Sequence, residues 1–250
     1  LHFLNSSTMV LGSKLMENIT AIICTRSNKP PVGLNSLLEY FSLCDIPVKL
    51  QKDKLSIFSA YATGLKDLLD DPEQIVIFCH DDIEILNPPE DFMNILQESL
   101  KDSTTGFVGV AGTRYLGKDA VWWNHDNWGK GLHRGFIFHG KNKWNCYPTG
   151  YTLPAGVGSP QVVALDGVFL AAKVKTLQKL GSWEKPDFFQ GNWDFYDIYY
   201  THKAHKSGFV NKVVPILLVH NSAGELVGRD SWVKNQQPFI RNTELPELII

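Results

Sequence analysis

His80, Asp81 and Asp82 follow one another at the end of an apolar run, in the stretch IVIFCHDDIEI. Adjacent carboxylates repel, and desolvating either is costly unless something positive faces it. Hard carboxylate oxygens suit Mg or Mn, and such sites commonly take substrate phosphates as further ligands. A turn or a helix start is the structural alternative, because Asp is favoured at both. An apolar run precedes the pair and no helix pattern follows at once, which favours a cation. His220 closes a second apolar run, VVPILLVH, where a ring nitrogen could complete such a site. A hydrogen-bonded surface histidine is the alternative there. Asp194 and Asp197 lie three apart, on one face of an expected helix. They offer a general base or, more plainly, a helix cap and a solvated face. Asp166 stands in ALDG, where Asp-Gly is also a common turn pair. Trp122, Trp123, Trp128 and Trp144 crowd the Gly-, Asn-, His- and Tyr-rich stretch 113–160. They read equally as the core of a loop-heavy lobe and as a wall for stacking sugar rings.

The elements that must hold these residues alternate. A buried strand runs from Ile19 to Cys24 and turns at Thr25 and Arg26. Helix patterns follow over 35–44 and 56–69, separated by a short strand candidate, IPVKLQ. Then come the strand IVIFC, a helix in PPEDFMNILQESLK with Pro at its start, and the strand GFVGVAG. This β-α-β-α-β-α-β rhythm predicts an α/β fold with a mostly parallel central sheet flanked by helices. Ligands in such sheets sit at the carboxyl ends of strands, so TRSN and HDD share one rim. Further on, SPQVVALDGVFLAAKV reads as strand, turn and strand, and KTLQKLG as a short helix closed by Gly181. A helix is expected from about Trp193 to Gly208, and FVNKVVPILLVH as one late strand. After Arg229 the tail is polar and weakly patterned. No repeat or low-complexity segment occurs.

Composition narrows the function. Of 250 residues 44% are hydrophobic and 20% charged, a globular balance, and the length suits one large domain or two small ones. The net charge of -2 gives no footing for nucleic acid or an anionic membrane. No run reaches the ~18 apolar residues of a membrane helix, so stable insertion is not expected. The N-terminal stretch lacks the layout of a signal peptide, and the sequons NSS and NIT are read as chance. Four cysteines without a CxxC pair indicate neither a zinc knuckle nor a thioredoxin-type site. A cytoplasmic, reducing location is the expectation.

The ordered set IICTRSN, SIFSAYATGL, IVIFCHDDIEI, ALDGVFLAAK, GSWEKPDFFQGNWDFYDIYYTHKAHKSG and VVPILLVHNSAGE resembles GT-A fold glycosyltransferases related to glycosyltransferase family 2. The resemblance implies one GT-A domain over 1–250, with a nucleotide-binding half at 19–112 and an acceptor and catalytic half at 113–228. It implies that HDD stands for the DxD motif, with His80 in place of the first Asp and among the nucleotide-sugar contacts. Asp82 and His220 would be metal ligands, and Asp81 would help hold the metal or the ribose. Thr25, Arg26 and Ser59 would contact the nucleotide, and Asp166 the donor sugar or the acceptor. Asp197 would be the catalytic base, with Asp194 the second choice, and Trp122 and Trp123 would face the acceptor. The implied cofactor is Mn, with Mg as the alternative. The implied donor is a UDP-sugar, with GDP second, and the acceptor a glycan or other hydroxyl, reached by one inverting displacement. Two departures stand out. Tyr196 and Tyr199 occupy positions where the family's pattern has acidic residues, and His80 replaces an Asp. Two rivals remain: a sugar-nucleotidyltransferase, poorly matched because TRSNKPPVG is no Gly-rich basic loop, and a non-catalytic carbohydrate- or nucleotide-binding module on the same scaffold.

Overall fold

The computed structural model describes residues 18–28, 30–31, 33–127, 130–150, 160–222 and 230–249. Trp128, the NSS sequon and the end of the last motif, 223–225, lie outside them. The elements of the first half are β1 (Ile19–Thr25), α1 (Leu34–Leu43), β2 (Val48–Lys52), α2 (Ile57–Leu65), β3 (Ile75–Cys79), β4 (Ile83–Ile85), α3 (Pro89–Leu100) and β5 (Thr105–Gly109). The second half follows with β6 (Ala111–Thr113), β7 (Tyr115–Leu116), β8 (His133–Asn142), β9 (Asn145–Gly150), β10 (Gln161–Val162), β11 (Ala164–Leu165), β12 (Phe169–Lys173), α4 (Val174–Lys179), α5 (Tyr196–Lys206), β13 (Val210–Val213), β14 (Leu218–His220), α6 (Asp230–Arg241) and β15 (Glu247–Leu248).

The main sheet has the order β10-β13-β5-β12-β3-β1-β2. Its β1 pairs in parallel with both β2 and β3, as the alternating pattern predicts. Between β3 and β5, however, lies β12, antiparallel to both. Every residue of β3, β5 and β12 is buried, which is why they read as continuous apolar runs. A second sheet, β11-β6-β8-β14-β4, stands at the carboxyl rim of the first. The parallel strands β3, β5 and β13 each pass into it: β3 into β4, β5 into β6, and β13 into β14.

Two stretches read as single strands are therefore split. GFVGVAG breaks at Val110, whose carbonyl accepts from Phe136 N, and its two ends join different sheets. The late strand breaks at Pro215, which has no N–H to continue a ladder. There Ile216 N folds back on Val214 O at 2.8 Å, a three-residue turn. The tail also differs from expectation, because α6 is a regular helix. Its buried positions Trp232, Asn235, Pro238 and Phe239 repeat at helical spacing, but two of the four are not conventional core residues. Helix α2 stops at Leu65 and tightens into a 3-10 turn over Lys66–Leu68, short of the expected end. Among the described residues, no helix is long and apolar enough to cross a membrane.

Candidate active site

The backbone brings the motif residues together. His80, Asp81 and Asp82 form the corner between β3 and β4, where the chain changes sheets. His80 N donates to Val168 O at 3.1 Å and Asn221 N donates to Asp82 O at 2.8 Å, so both flanks of the corner are tied. The antiparallel register of β4 with β14 sets His220 opposite Ile83, next to Asp82. His80 Nδ1 lies 3.2 Å from His220 Nε2. Asp82 Oδ1 lies 3.4 Å from His220 Nε2 and 3.8 Å from His80 Nδ1. Ligands at right angles around a cation with bonds of about 2.1 Å stand about 3 Å apart. The observed triangle, with sides of 3.2, 3.4 and 3.8 Å, is wider, and it presents one hard oxygen and two imidazole nitrogens, a donor set that suits a divalent transition ion. Burial tends to raise the Asp82 carboxyl, but His220 and His80 outweigh it and hold it below the usual carboxylate range. Burial, aided by His220, holds His80 below the usual imidazole value. A neutral His80 imidazole beside an ionised Asp82 is the protonation state a metal requires.

Asp81 faces away from this cluster. The parallel ladder ends at Ile23 and Cys79, so Thr25 and Asp81 emerge from neighbouring strands on the same rim. Burial pushes the Asp81 carboxyl up, with Asp82 adding to it, while Thr25 and Arg26 pull it down. Asp81 therefore belongs with Thr25 and Arg26 on the β1 side, together with Asp53 and Lys54.

The second carboxylate pair lines the same cavity and adjoins His80, whose backbone N–H donates to Val168 O in the turn that carries Asp166. Asp197 lies in the first turn of α5, and its Oδ2 accepts from Gly167 N at 2.9 Å. Burial, then the charge of Asp166, raises its pKa to about 7. Asp166 is held by the turn before β12, its Oδ1 accepting from Val168 N at 2.7 Å. Gly167 is obligatory here, since a Cβ would overlap the Tyr196 hydroxyl and press on Asp197 Cβ. Asp194 is not on the helix. Phe195 takes a left-handed conformation, φ 69°, so α5 begins at Tyr196 and not at Trp193. Asp194 is buried and lines the cavity from the preceding loop.

One cavity of about 730 Å³ receives all of these groups: Thr25, Arg26, His80, Asp81, Asp82, Asp166, Asp194, Asp197 and His220 line it. Ser59 does not. It is exposed on α2, and its hydroxyl donates to Ser56 O at 3.0 Å within the helix cap, while Ile57 and Tyr61 of that helix reach the cavity instead. Trp122 and Trp123 both line it, but Trp122 is 2% exposed and mostly packs on Trp123. Trp193, 43% exposed, and Trp232 of α6 complete that aromatic side. Neither was singled out in the sequence, because one lies in an irregular loop and the other in the polar tail. His139 was also missed. It stands beside His220 in the parallel β8–β14 register, and burial, aided by His220, holds it below the usual imidazole value. Its strand, HRGFIFHGKN, lies in the stretch that reads in the sequence only as extended loops and short strands, because Gly and His interrupt the alternation.

Residues 22–242 match the glycosyltransferase like family. The chain belongs to this family. No curated protein matches it. Among solved structures, this glycosyltransferase-like chain is similar to A197 from STIV, at 12% identity and a TM-score of 0.46, over 81% of this chain and 85% of that one. It is also similar to GalNAc-T7, in a crystal structure with UDP, GalNAc and Mn2+, at 12% identity and a TM-score of 0.47. That match covers 86% of this chain and 47% of the GalNAc-T7 chain. At this distance neither bears on the site. Family membership makes glycosyl transfer the class of chemistry, and the cavity has a His/Asp corner, joined through Tyr196 and Gly167 to the raised carboxylate of Asp197, and an aromatic side formed by tryptophans.

Proposed function

We propose that the chain is a metal-dependent glycosyltransferase that moves a sugar from a nucleoside diphosphate donor, UDP before GDP, to a hydroxyl of a glycan-type acceptor with inversion. The observation that carries this reading is the shared cavity: the His80–Asp82–His220 triangle and a carboxylate raised to about 7 open into one space. A divalent ion, Mn before Mg, would be held by Asp82, His220 and His80 and would neutralise the charge that develops on the departing diphosphate. Asp81 then serves the nucleotide with Thr25 and Arg26 rather than the ion. Arg26 supplies positive charge at that end of the cavity, and Asp166 faces the donor sugar. Asp197 takes the proton of the acceptor hydroxyl as its oxygen attacks the anomeric carbon. The bond to the diphosphate oxygen breaks with its electron pair, and one displacement inverts the centre. A base with a pKa near 7 combines availability with driving force at neutral pH. Asp194, off the helix but in the cavity, is the second candidate for the base. The half-buried Trp123 and the exposed Trp193 offer ring faces to an acceptor sugar. The four cysteines are all free, two of them buried, which supports a reducing, cytoplasmic setting.

Thermal unfolding with UDP and GDP, each with and without Mn, tests this reading. A Mn-dependent stabilisation by one nucleotide, lost in Asp82→Ala, is the expected result. No stabilisation by either nucleotide would overturn it. A donor that binds while Asp197→Asn changes no turnover would point instead to a non-catalytic binding module.

A further inference from the structure

Tyr196 stands where the family's pattern has an acidic residue, and the hydrogen bonds around it show what it does. The Gly167 carbonyl can only accept, so the Tyr196 hydroxyl, 3.0 Å away, spends its one proton there. The same oxygen lies 2.9 Å from His80 Nε2 and is left as the acceptor of that contact. That contact is satisfied when His80 carries its proton on Nε2. The other ring nitrogen, Nδ1, is the atom that points into the triangle with Asp82 and His220. An imidazole that binds a cation through Nδ1 must hold its proton on Nε2, and the partner of that N–H orients the ring.

We propose that Tyr196 is a positioning residue: anchored on the Gly167 carbonyl, its hydroxyl selects the Nε2–H tautomer of His80 and so presents the Nδ1 lone pair to the cation. This rests on the metal reading given above. The ring has little freedom to do otherwise. It is buried between Tyr61 and Trp183, with ring centroids at 5.8 and 6.0 Å. The absence of a side chain at Gly167 is what lets the hydroxyl reach the carbonyl. Gly167 also holds Asp197 through its N–H, so one residue of the Asp-Gly turn sets both the base and the tautomer. An acidic side chain in place of Tyr196 could accept from His80 but, when ionised, could not donate to Gly167.

The test uses Tyr196→Phe, which keeps the ring and deletes only the hydroxyl. Nitrogen-15 spectra of histidine-labelled protein, with His80 assigned by its loss in His80→Gln, report the tautomer directly. The wild type is expected to show Nε2–H for His80, and Tyr196→Phe a shift towards the Nδ1–H form. Mn2+ binding, followed by the electron paramagnetic resonance of the free ion, is expected to weaken about 10- to 100-fold in the same variant. The metal-free melting temperature is a control for folding. A His80 tautomer unchanged in Tyr196→Phe, or unchanged Mn2+ affinity, would overturn the proposal. A wild-type chain that takes up no Mn2+ removes the metal reading itself, and the tautomer spectra then decide the Tyr196–His80 link alone. Gly167→Ala, which crowds the hydroxyl off its anchor, is expected to act in the same direction.

Discussion

The two ends of the cavity are built by different means. At the His/Asp corner, position is set by backbone ladders: the β1–β3 ladder brings Thr25 and Asp81 to one rim, and the β4–β14 register delivers His220 to Asp82. At the aromatic end, position is set by side chains reaching in from α6. Asn235, fully buried, accepts from Gly191 N at 2.6 Å and donates to Gly191 O at 3.2 Å and Asp194 O at 2.8 Å. Trp232 and Phe239 pack on Phe195, the residue with the left-handed backbone, at centroid distances of 4.8 and 5.5 Å. Main-chain registers tolerate side-chain replacement, so the corner's residues are free to be chosen for chemistry. The aromatic loop depends on one amide and two rings, so there chemistry and stability are harder to separate.

This contrast can be broken or sharpened by substitution. The largest effect is expected for Asp197→Asn, whose amide oxygen can still accept from Gly167 N. Turnover should fall about a hundred- to ten-thousandfold while donor affinity is retained. The wild-type rate should fall on the acid side with an apparent pKa near 7. Stability should move in the opposite sense. A carboxyl raised in the folded state favours folding below its unfolded pKa, and that advantage is lost as pH rises through 7. Urea titrations at pH 6 and pH 8.5 should therefore show Asp197→Asn gaining on the wild type at the higher pH. Next, Asp82→Ala should abolish the Mn-dependent stabilisation by nucleotide, about 2.7 kcal/mol at a hundredfold excess over Kd, with little change in the unliganded melting temperature.

The aromatic end should respond in the reverse order. Asn235→Ala strands three buried backbone groups and should cost about 3 kcal/mol in denaturant unfolding, with acceptor KM rising more than donor KM. An Asn235→Ala protein as stable as the wild type would break the comparison. The smallest effect is expected for Trp193→Ala. Its exposed ring should contribute about 1 kcal/mol to acceptor binding, a roughly fivefold rise in KM, with no change in the donor-induced thermal shift.

What the sequence discloses follows the same division. The β-α alternation through β5 is legible because buried parallel strands are apolar throughout and their helices carry one apolar face. HDD and His220 are legible because charged residues close those runs. The sheet crossings at Val110 and Pro215 are not, since an apolar run looks the same whether it serves one sheet or two. Helix α6 is hidden because Asn235 and Pro238 occupy half of its buried stripe. Ser59 was assigned to the nucleotide from its helix alone, but the face of α2 that reaches the cavity is the one bearing Ile57 and Tyr61. Tyr196 looked like a departure from a pattern, and only its contacts with Gly167 and His80 give it a place.

The placement of β12 also bears on how the chain is made. Phe169 lies opposite Cys79, and Leu170 opposite Gly109, so this strand fills the gap between two strands of the first half. A nascent chain that has emerged only as far as β5 has β3 and β5 in hand but not the strand that joins them. Closing the main sheet then waits on contacts far apart in sequence, which slows folding and leaves open strand edges exposed. The two halves of the main sheet are thus inseparable on the ribosome, and a fragment cut at residue 112 is expected to aggregate where the whole chain folds.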